Sequence, residues 1–230
     1  MMRNLEMLQI VARGMRALRE QVVFVGGATT ALYADDPASP EVRPTLDIDC
    51  VVEVSSRTSY HRLEEELRQL GFVNDVSEGA PLCRWVYRGI KVDVMPNDPT
   101  ILGFSNKWYE GALDNSRLCS LPDGVNIRIL QAPVFLAAKL EALKARMGQD
   151  LRTSADFEDI VFLVHARSTI VTEIAEADSR VQEYIREEIR SLLTRGDWNE
   201  AVESAMGYGV GSAALERVQG RFLPFAGQTR

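Results

Sequence analysis

Cysteine is scarce in this chain. Its 230 residues hold three, Cys50, Cys83 and Cys119, odd in number, widely spaced and without a CxxC pair. Neither a disulfide framework nor a zinc site is suggested, and a reducing, cytoplasmic compartment is the simplest expectation. Long apolar runs are missing too. The longest fall well short of the roughly 20 residues that a spanning helix requires, so no membrane partner is expected. The opening Met1-Met2-Arg3-Asn4-Leu5-Glu6 lacks the apolar core of a secretory signal. Nor is there a surplus of positive charge: 26 Lys and Arg against 33 Asp and Glu give a net charge of −7. That argues against a broad, nonspecific grip on nucleic acid, which needs a basic surface, while leaving room for a local basic groove. The two histidines, His61 and His165, have no partner in sequence and read as structural. No internal repeat or low-complexity tract is present.

What remains is ordinary for a globular protein, with 46% apolar and 26% charged residues. The length allows one large domain or two small ones and can bury a core. Residues 4–20 place Leu5, Leu8, Ile10, Val11, Met15 and Leu18 at near-helical spacing. A strand follows at 22–25, ending at Gly26-Gly27, and a short helix is predicted over 28–34. A polar loop containing Pro37, Pro40 and Pro44 leads to a second strand at 47–54. A helix over 59–70 closes at Gly71. Strands at 82–88 and 90–95 read as a hairpin turning at Gly89 and stopped by Pro96. Residues 97–125 read as loop, and a short strand is predicted at 125–130. From Pro133 the pattern becomes almost wholly helical, with helices over 133–147, 154–165, 170–177, 180–194, 197–206 and 211–219. The expected class is α/β (α+β): a mixed β-sheet flanked by helices over 1–130, then a C-terminal helical domain over 131–230.

The chemistry concentrates near the first two strands. Side chains alternate along a strand, so Asp47 and Asp49 share one face while Ile48 and Cys50 take the other. Paired carboxylates repel unless a cation neutralises them, which suggests a metal site. On 90–94, Lys91 and Asp93 alternate with Ile90, Val92 and Val94. If that strand lies beside 47–54 in one sheet, Asp93 joins the pair as a third carboxylate. Such a cluster of hard oxygens suits Mg²⁺, which favours a few carboxylates together with phosphate oxygens and water, and it is the arrangement used for displacement at phosphorus. The Gly26-Gly27 turn would offer backbone N–H groups to a phosphate, and Thr29 and Thr30 could add hydrogen bonds.

A strand ending in Gly-Gly, then a helix, Asp-x-Asp on the next strand and a later lone Asp resembles the nucleotidyltransferase fold of the DNA polymerase β superfamily. Arg43-Pro-Thr-Leu-Asp-Ile-Asp49 looks like the R-x-[ST]-x-D-[IL]-D block of the AbiEii-like nucleotidyltransferases, whose best-known members are toxins of toxin–antitoxin systems. Lys139-Leu-Glu-Ala-Leu143, Arg152 and Asp156-Phe-Glu-Asp159 look like that family's second half. The resemblance spans about residues 20–165. It departs from the family in the stretch between Gly27 and Asp47, lengthened by an insertion with Asp35, Asp36, Pro37 and Pro40.

The resemblance implies a Mg²⁺-dependent transfer of a nucleoside monophosphate from an NTP to a hydroxyl or phosphate acceptor on tRNA, protein or a small molecule, with an antitoxin protein as a further partner. It implies Asp47 and Asp49 as metal ligands, with Asp93 completing the metal site or acting as base toward the acceptor hydroxyl. Gly26, Gly27 and Thr29 would hold the triphosphate, Arg43 and Lys139 would offset its charge, and Asp156 or Asp159 would orient Lys139 or the nucleotide. An aminoglycoside-type small-molecule transferase and a catalytically silent nucleotide- or protein-binding module of the same fold are the alternatives.

Plainer readings stand beside each of these. A Gly-Gly after an apolar run also marks a simple tight turn, and Asp-x-Asp at a strand end is also found merely solvated. Lys91 on the face of Asp93 reads equally as its surface ion-pair partner. Lys139 reads equally as a surface lysine with a buried stem. Asp156, Glu158 and Asp159 sit where a helix dipole welcomes negative charge, Arg152 reads as a surface charge, and Trp85 with Tyr87 reads as cross-strand packing.

Overall fold

The computed structural model describes residues 3–35, 39, 41–146, 148, 150–207 and 212–226. Asp36, Pro37 and Pro40 of the insertion, and Met147 at the end of the expected helix 133–147, lie outside the described residues. The chain forms two compact units. The described residues of Met1–Thr29 and Arg43–Gln131 make the first, and those of Thr30–Val42 and Ala132–Arg230 make the second.

The first unit is built on a seven-stranded mixed sheet. Its strands are β1 (Val22–Val25), β2 (Asp47–Val52), β3 (Val73–Asn74), β4 (Arg84–Tyr87), β5 (Ile90–Pro96), β6 (Ser116–Ser120) and β7 (Asn126–Leu130). Their order across the sheet is β3-β4-β5-β2-β1-β7-β6. β1 is antiparallel to β2 and parallel to β7. β2 is parallel to β5, while β4 and β5 form a hairpin. The all-apolar Val22-Val23-Phe24-Val25 explains its place near the middle, because a strand covered on both faces has no use for alternation. β2 and β5 alternate instead, burying Ile48, Cys50, Val92 and Val94.

Helix α1 (Asn4–Met15) covers β2 and β5 with Leu8, Val11 and Met15, all fully buried. Its Gly14 lies against the ring of Tyr87, which in turn stacks on Phe72 with centroids 4.3 Å apart. Helix α2 (Arg57–Gln69) starts at Ser56, whose hydroxyl accepts the Ser59 N–H at 3.2 Å. The short helix α3 (Pro99–Leu102) and a 3-10 turn at Lys107–Tyr109 lie within the stretch expected to be loop.

The short helix expected over 28–34 is present as a 3-10 helix, Gly27–Tyr33. Two local expectations are corrected. β6 was not expected: Ser116-Arg-Leu-Cys-Ser120 is a polar edge strand that exposes Leu118, so it carries no apolar alternation to reveal it. Pro96 does not stop β5 but is its last residue, opposite Val52, where its missing N–H breaks little of the ladder.

The second unit is helical: α4 (Ala132–Ala145), a 3-10 turn at Leu151–Thr153, α5 (Ala155–Ala166), α6 (Ile170–Glu176), α7 (Ser179–Leu193), α8 (Trp198–Met206) and α9 (Ser212–Ala226). α4 is apolar nearly all round and packs on α5, α6 and α7, which makes it the central helix of the unit. Trp198 sits edge-on to both Phe157 and Phe222, fastening α8 and α9 to α5. Arg221 donates to the carbonyls of Val164, His165 and Arg167 at 2.7, 2.8 and 3.2 Å, so an arginine of α9 satisfies the carbonyls left over at the C-terminus of α5. Asp35 belongs here too, accepting the backbone N–H and hydroxyl of Ser168. Among the described residues, no helix is long and apolar enough to cross a membrane.

Candidate functional site

The parallel pairing of β2 with β5 sets Asp49 opposite Asp93 and Asp47 opposite Lys91. Odd positions of both strands therefore face the same side, and Asp47, Asp49 and Asp93 converge. Each offers a carboxylate oxygen, and the three oxygens lie within 4.8 Å of one another. Asp93 is 8% exposed and its two companions are half-buried. Two unit charges about 4 Å apart repel by about 4 kcal/mol at an effective dielectric of about 20, so a triad of carboxylates needs positive charge nearby.

The approach to β2 is fixed from α1. The buried Asn4 donates its amide to the Arg43 carbonyl at 2.9 Å and accepts the Thr45 N–H at 3.0 Å. Thr45 then donates its hydroxyl to Asp47 Oδ1 at 3.1 Å. On the other side stands Gly26, in left-handed backbone conformation with φ +72°. A Cβ placed there would fall 2.0 Å from Asp49 Oδ2, so only glycine lets this turn lie against the carboxylate. Thr29 is fully buried, and its hydroxyl donates to the Gly26 carbonyl at 2.9 Å. That bond braces the turn, and it differs from the expectation that the Thr29 side chain faces a phosphate. The tight 3-10 winding after Gly26 turns the hydroxyl back on the chain.

Sequence reasoning did not single out Arg84, which brings positive charge to two of these carboxylates. Arg84 faces Asp93 across the β4–β5 hairpin. Its Nε donates to Asp93 Oδ1 at 2.7 Å and a terminal nitrogen to Asp93 Oδ2 at 2.8 Å, a two-point fork. The same terminal nitrogen reaches Asp47 Oδ2 at 3.1 Å. The Asp93 carboxylate drives the Arg84 pKa still higher than its ordinary value. Asp93 therefore pairs with Arg84, while Lys91 is exposed. A sequence signal did exist. Arg88 and Gly89 both take positive φ, and a two-residue turn there, with Tyr87 opposite Ile90, necessarily sets position 84 opposite 93.

Lys139, Asp156 and Asp159 belong to the second unit and bond to one another. Lys139 Nζ lies 3.1 Å from Asp156 Oδ1 and 2.6 Å from Asp159 Oδ2, and Arg146 also pairs with Asp156. Lys139 is 8% exposed, so it is not a surface lysine. Burial opposes its charge, but the two carboxylates outweigh burial and hold its pKa above the usual lysine value. Arg152, by contrast, is an exposed charge paired with Asp150.

The residues of the first unit fit a divalent cation. The donor set is three carboxylates, a hard-oxygen set of the kind Mg²⁺ prefers, with one of them held against a glycine turn. No family model and no curated protein matches the sequence. Among solved structures, the chain is similar to that of an antigenic nucleotidyltransferase-like protein from Paracoccidioides brasiliensis. The two are 16% identical, with a TM-score of 0.52 over 88% of this chain and 93% of that one. What the likeness shows is a shared fold, which in this chain is a mixed sheet with flanking helices.

Proposed function

We propose that the first unit carries the active site of a Mg²⁺-dependent nucleotidyltransferase, which moves a nucleoside monophosphate from an NTP to a hydroxyl or phosphate acceptor and releases pyrophosphate. One observation carries the reading: Asp47, Asp49 and Asp93 converge from two adjacent strands onto one point beside the Gly26 turn. The similarity of fold to a nucleotidyltransferase-like protein supports it.

Asp47 and Asp49 would hold the ion, with Asp93 completing the set or taking the proton of the acceptor. Mg²⁺, when bound, supplies charge neutralisation for the phosphate oxygens and a lower pKa for an attacking oxygen. Thr45 keeps Asp47 turned toward the site, and Asn4 holds the segment bearing Arg43, whose charge would face the triphosphate. The Gly26-Gly27 backbone would approach the phosphates at close range, as a chain without Cβ atoms can. Lys139, with its ammonium bonded to Asp156 and Asp159, is assigned here to the interior of its own unit.

The resemblance of Arg43–Asp49 and Lys139–Asp159 to AbiEii-like proteins makes a toxin acting on tRNA or protein in the cytoplasm the leading version, with an antitoxin as partner and an aminoglycoside-type transferase as the second enzyme version. One observation favours a silent binding module instead: Arg84 already pairs with both Asp93 and Asp47. Incubation with each labelled NTP and Mg²⁺, against tRNA, protein and aminoglycoside acceptors, separates the readings. The enzyme transfers label, whereas Asp47→Ala and Asp49→Ala lose transfer by a factor of at least about 100 with unchanged circular dichroism. A wild type that binds NTP and labels nothing favours the silent module. Growth arrest on expression, relieved by Asp47→Ala, supports the toxin; antibiotic resistance without arrest supports the small-molecule enzyme.

A further inference from the structure

Arg84 is placed by the fold to hold two of the three carboxylates at once. The β4–β5 hairpin fixes it opposite Asp93, and its planar fork engages both oxygens of Asp93 and one of Asp47. A divalent cation would draw on the same oxygens. Two positive groups then compete for one set of negative charge, and their mutual repulsion grows as the ion approaches. The guanidinium also has somewhere to go. Its side chain is 19% exposed, and β4 is separated from the sheet edge only by the two-residue β3.

We infer that Arg84 is a resident counter-ion of the carboxylate site, which a divalent cation must displace from Asp93 and Asp47 in order to bind. The inference rests on the metal-site reading above and adds to it that metal affinity is held down by a residue of the protein. Arg84 is thus a positioning residue: without metal it keeps three close carboxylates from forcing the strands apart, and with metal it yields them.

Mn²⁺ binding, followed by the electron paramagnetic resonance of the free ion, tests this on the full chain. The variants are Arg84→Gln, Arg84→Lys and Asp49→Asn, each checked by circular dichroism and by its melting temperature in EDTA. Arg84→Gln should bind Mn²⁺ about 10-fold more tightly than wild type, within the range by which residues behind metal ligands alter affinity. Its melting temperature should fall in EDTA and recover with Mg²⁺ more than the wild type's does. Arg84→Lys keeps the charge but loses the two-point fork. It should lie between the two, and it carries the test by itself if Arg84→Gln fails to fold. Folded Arg84 variants that bind Mn²⁺ as wild type does, or more weakly, overturn the inference while the metal site stands. If neither the wild type nor any Arg84 variant binds Mn²⁺, and Asp49→Asn behaves the same, the metal-site reading falls and the inference goes with it.

Discussion

A methyl group at Gly26 would meet Asp49 Oδ2 at 2.0 Å, and the backbone there has φ +72°. Gly26→Ala therefore meets two separate penalties. The left-handed backbone costs an L-residue roughly 1–2 kcal/mol, and the collision pushes the carboxylate out of the cluster. The variant is expected to stay folded, melt a few degrees lower and bind Mn²⁺ weakly, if at all; undiminished Mn²⁺ binding would show that Asp49 is not a ligand. At this scale the sequence disclosed about half of the site. Asp47, Asp49 and Asp93 were visible because strand alternation alone decides which side they face. Arg84 was not picked out because an arginine in Leu82–Arg88, which also holds Arg88, looks like any other strand residue until the hairpin register is counted. Thr29 reads as a phosphate contact in one dimension, and in the fold its buried hydroxyl donates to the Gly26 carbonyl, since only the 3-10 winding determines where that hydroxyl turns.

Elements carry their own tests. Gly14 of α1 is an interior helix position, where alanine would gain about 1 kcal/mol in propensity. Its Cβ, however, would come 2.5 Å from a ring carbon of Tyr87, which is itself stacked on Phe72. Overpacking of that kind costs about 1–3 kcal/mol. Gly14→Ala should therefore destabilise the protein by up to about 2 kcal/mol in urea unfolding, and a gain in stability would mean that the α1–β4 contact is looser than described. In the second unit, Lys139 of α4 pairs with two carboxylates of α5. Lys139→Met would leave Asp156 and Asp159 buried without that ammonium, a loss that typically costs about 3–5 kcal/mol. A measured loss under about 1 kcal/mol would remove Lys139 from the interior network. The same comparison explains which elements could be read beforehand. β1, α4 and α5 have apolar patterns set by deep burial, and their expected extents fall within two residues of those observed. β6 has no such pattern, because an edge strand with exposed Leu118 buries too little to leave a trace in its sequence.

Over the whole chain, acidic and basic groups with shifted pKa values set where stability should depend on pH. Asp35, Asp98, Asp123 and Asp197 lie below their ordinary values, each where nearby hydrogen-bond donors outweigh burial, and Asp150 is brought down to about 2 by Arg152. A depressed carboxylate stabilises the fold above its unfolded pKa of about 3.9, and that contribution disappears as pH falls through the folded value. Lys139 has the opposite sign. Its raised pKa contributes stability that is complete below about 10.4 and is lost as pH rises through the folded value. These groups predict an acid limb beginning near pH 4 and a Lys139 limb above about pH 10, while the thiols of Cys50 and Cys83, pushed up by burial, already take stability away from about pH 8.5, where they ionise in the unfolded chain. The Lys139 share can be assigned: the limb above pH 10 should shrink in Lys139→Met while the acid limb persists, because Asp35, Asp150 and their donors are untouched. Melting curves recorded in low-salt buffers from pH 3 to 11 check both limbs. If the limb above pH 10 is the same in Lys139→Met as in the wild type, Asp156 and Asp159 do not hold the Lys139 proton, and the ion cluster of the second unit is weaker than its distances of 2.6 and 3.1 Å indicate.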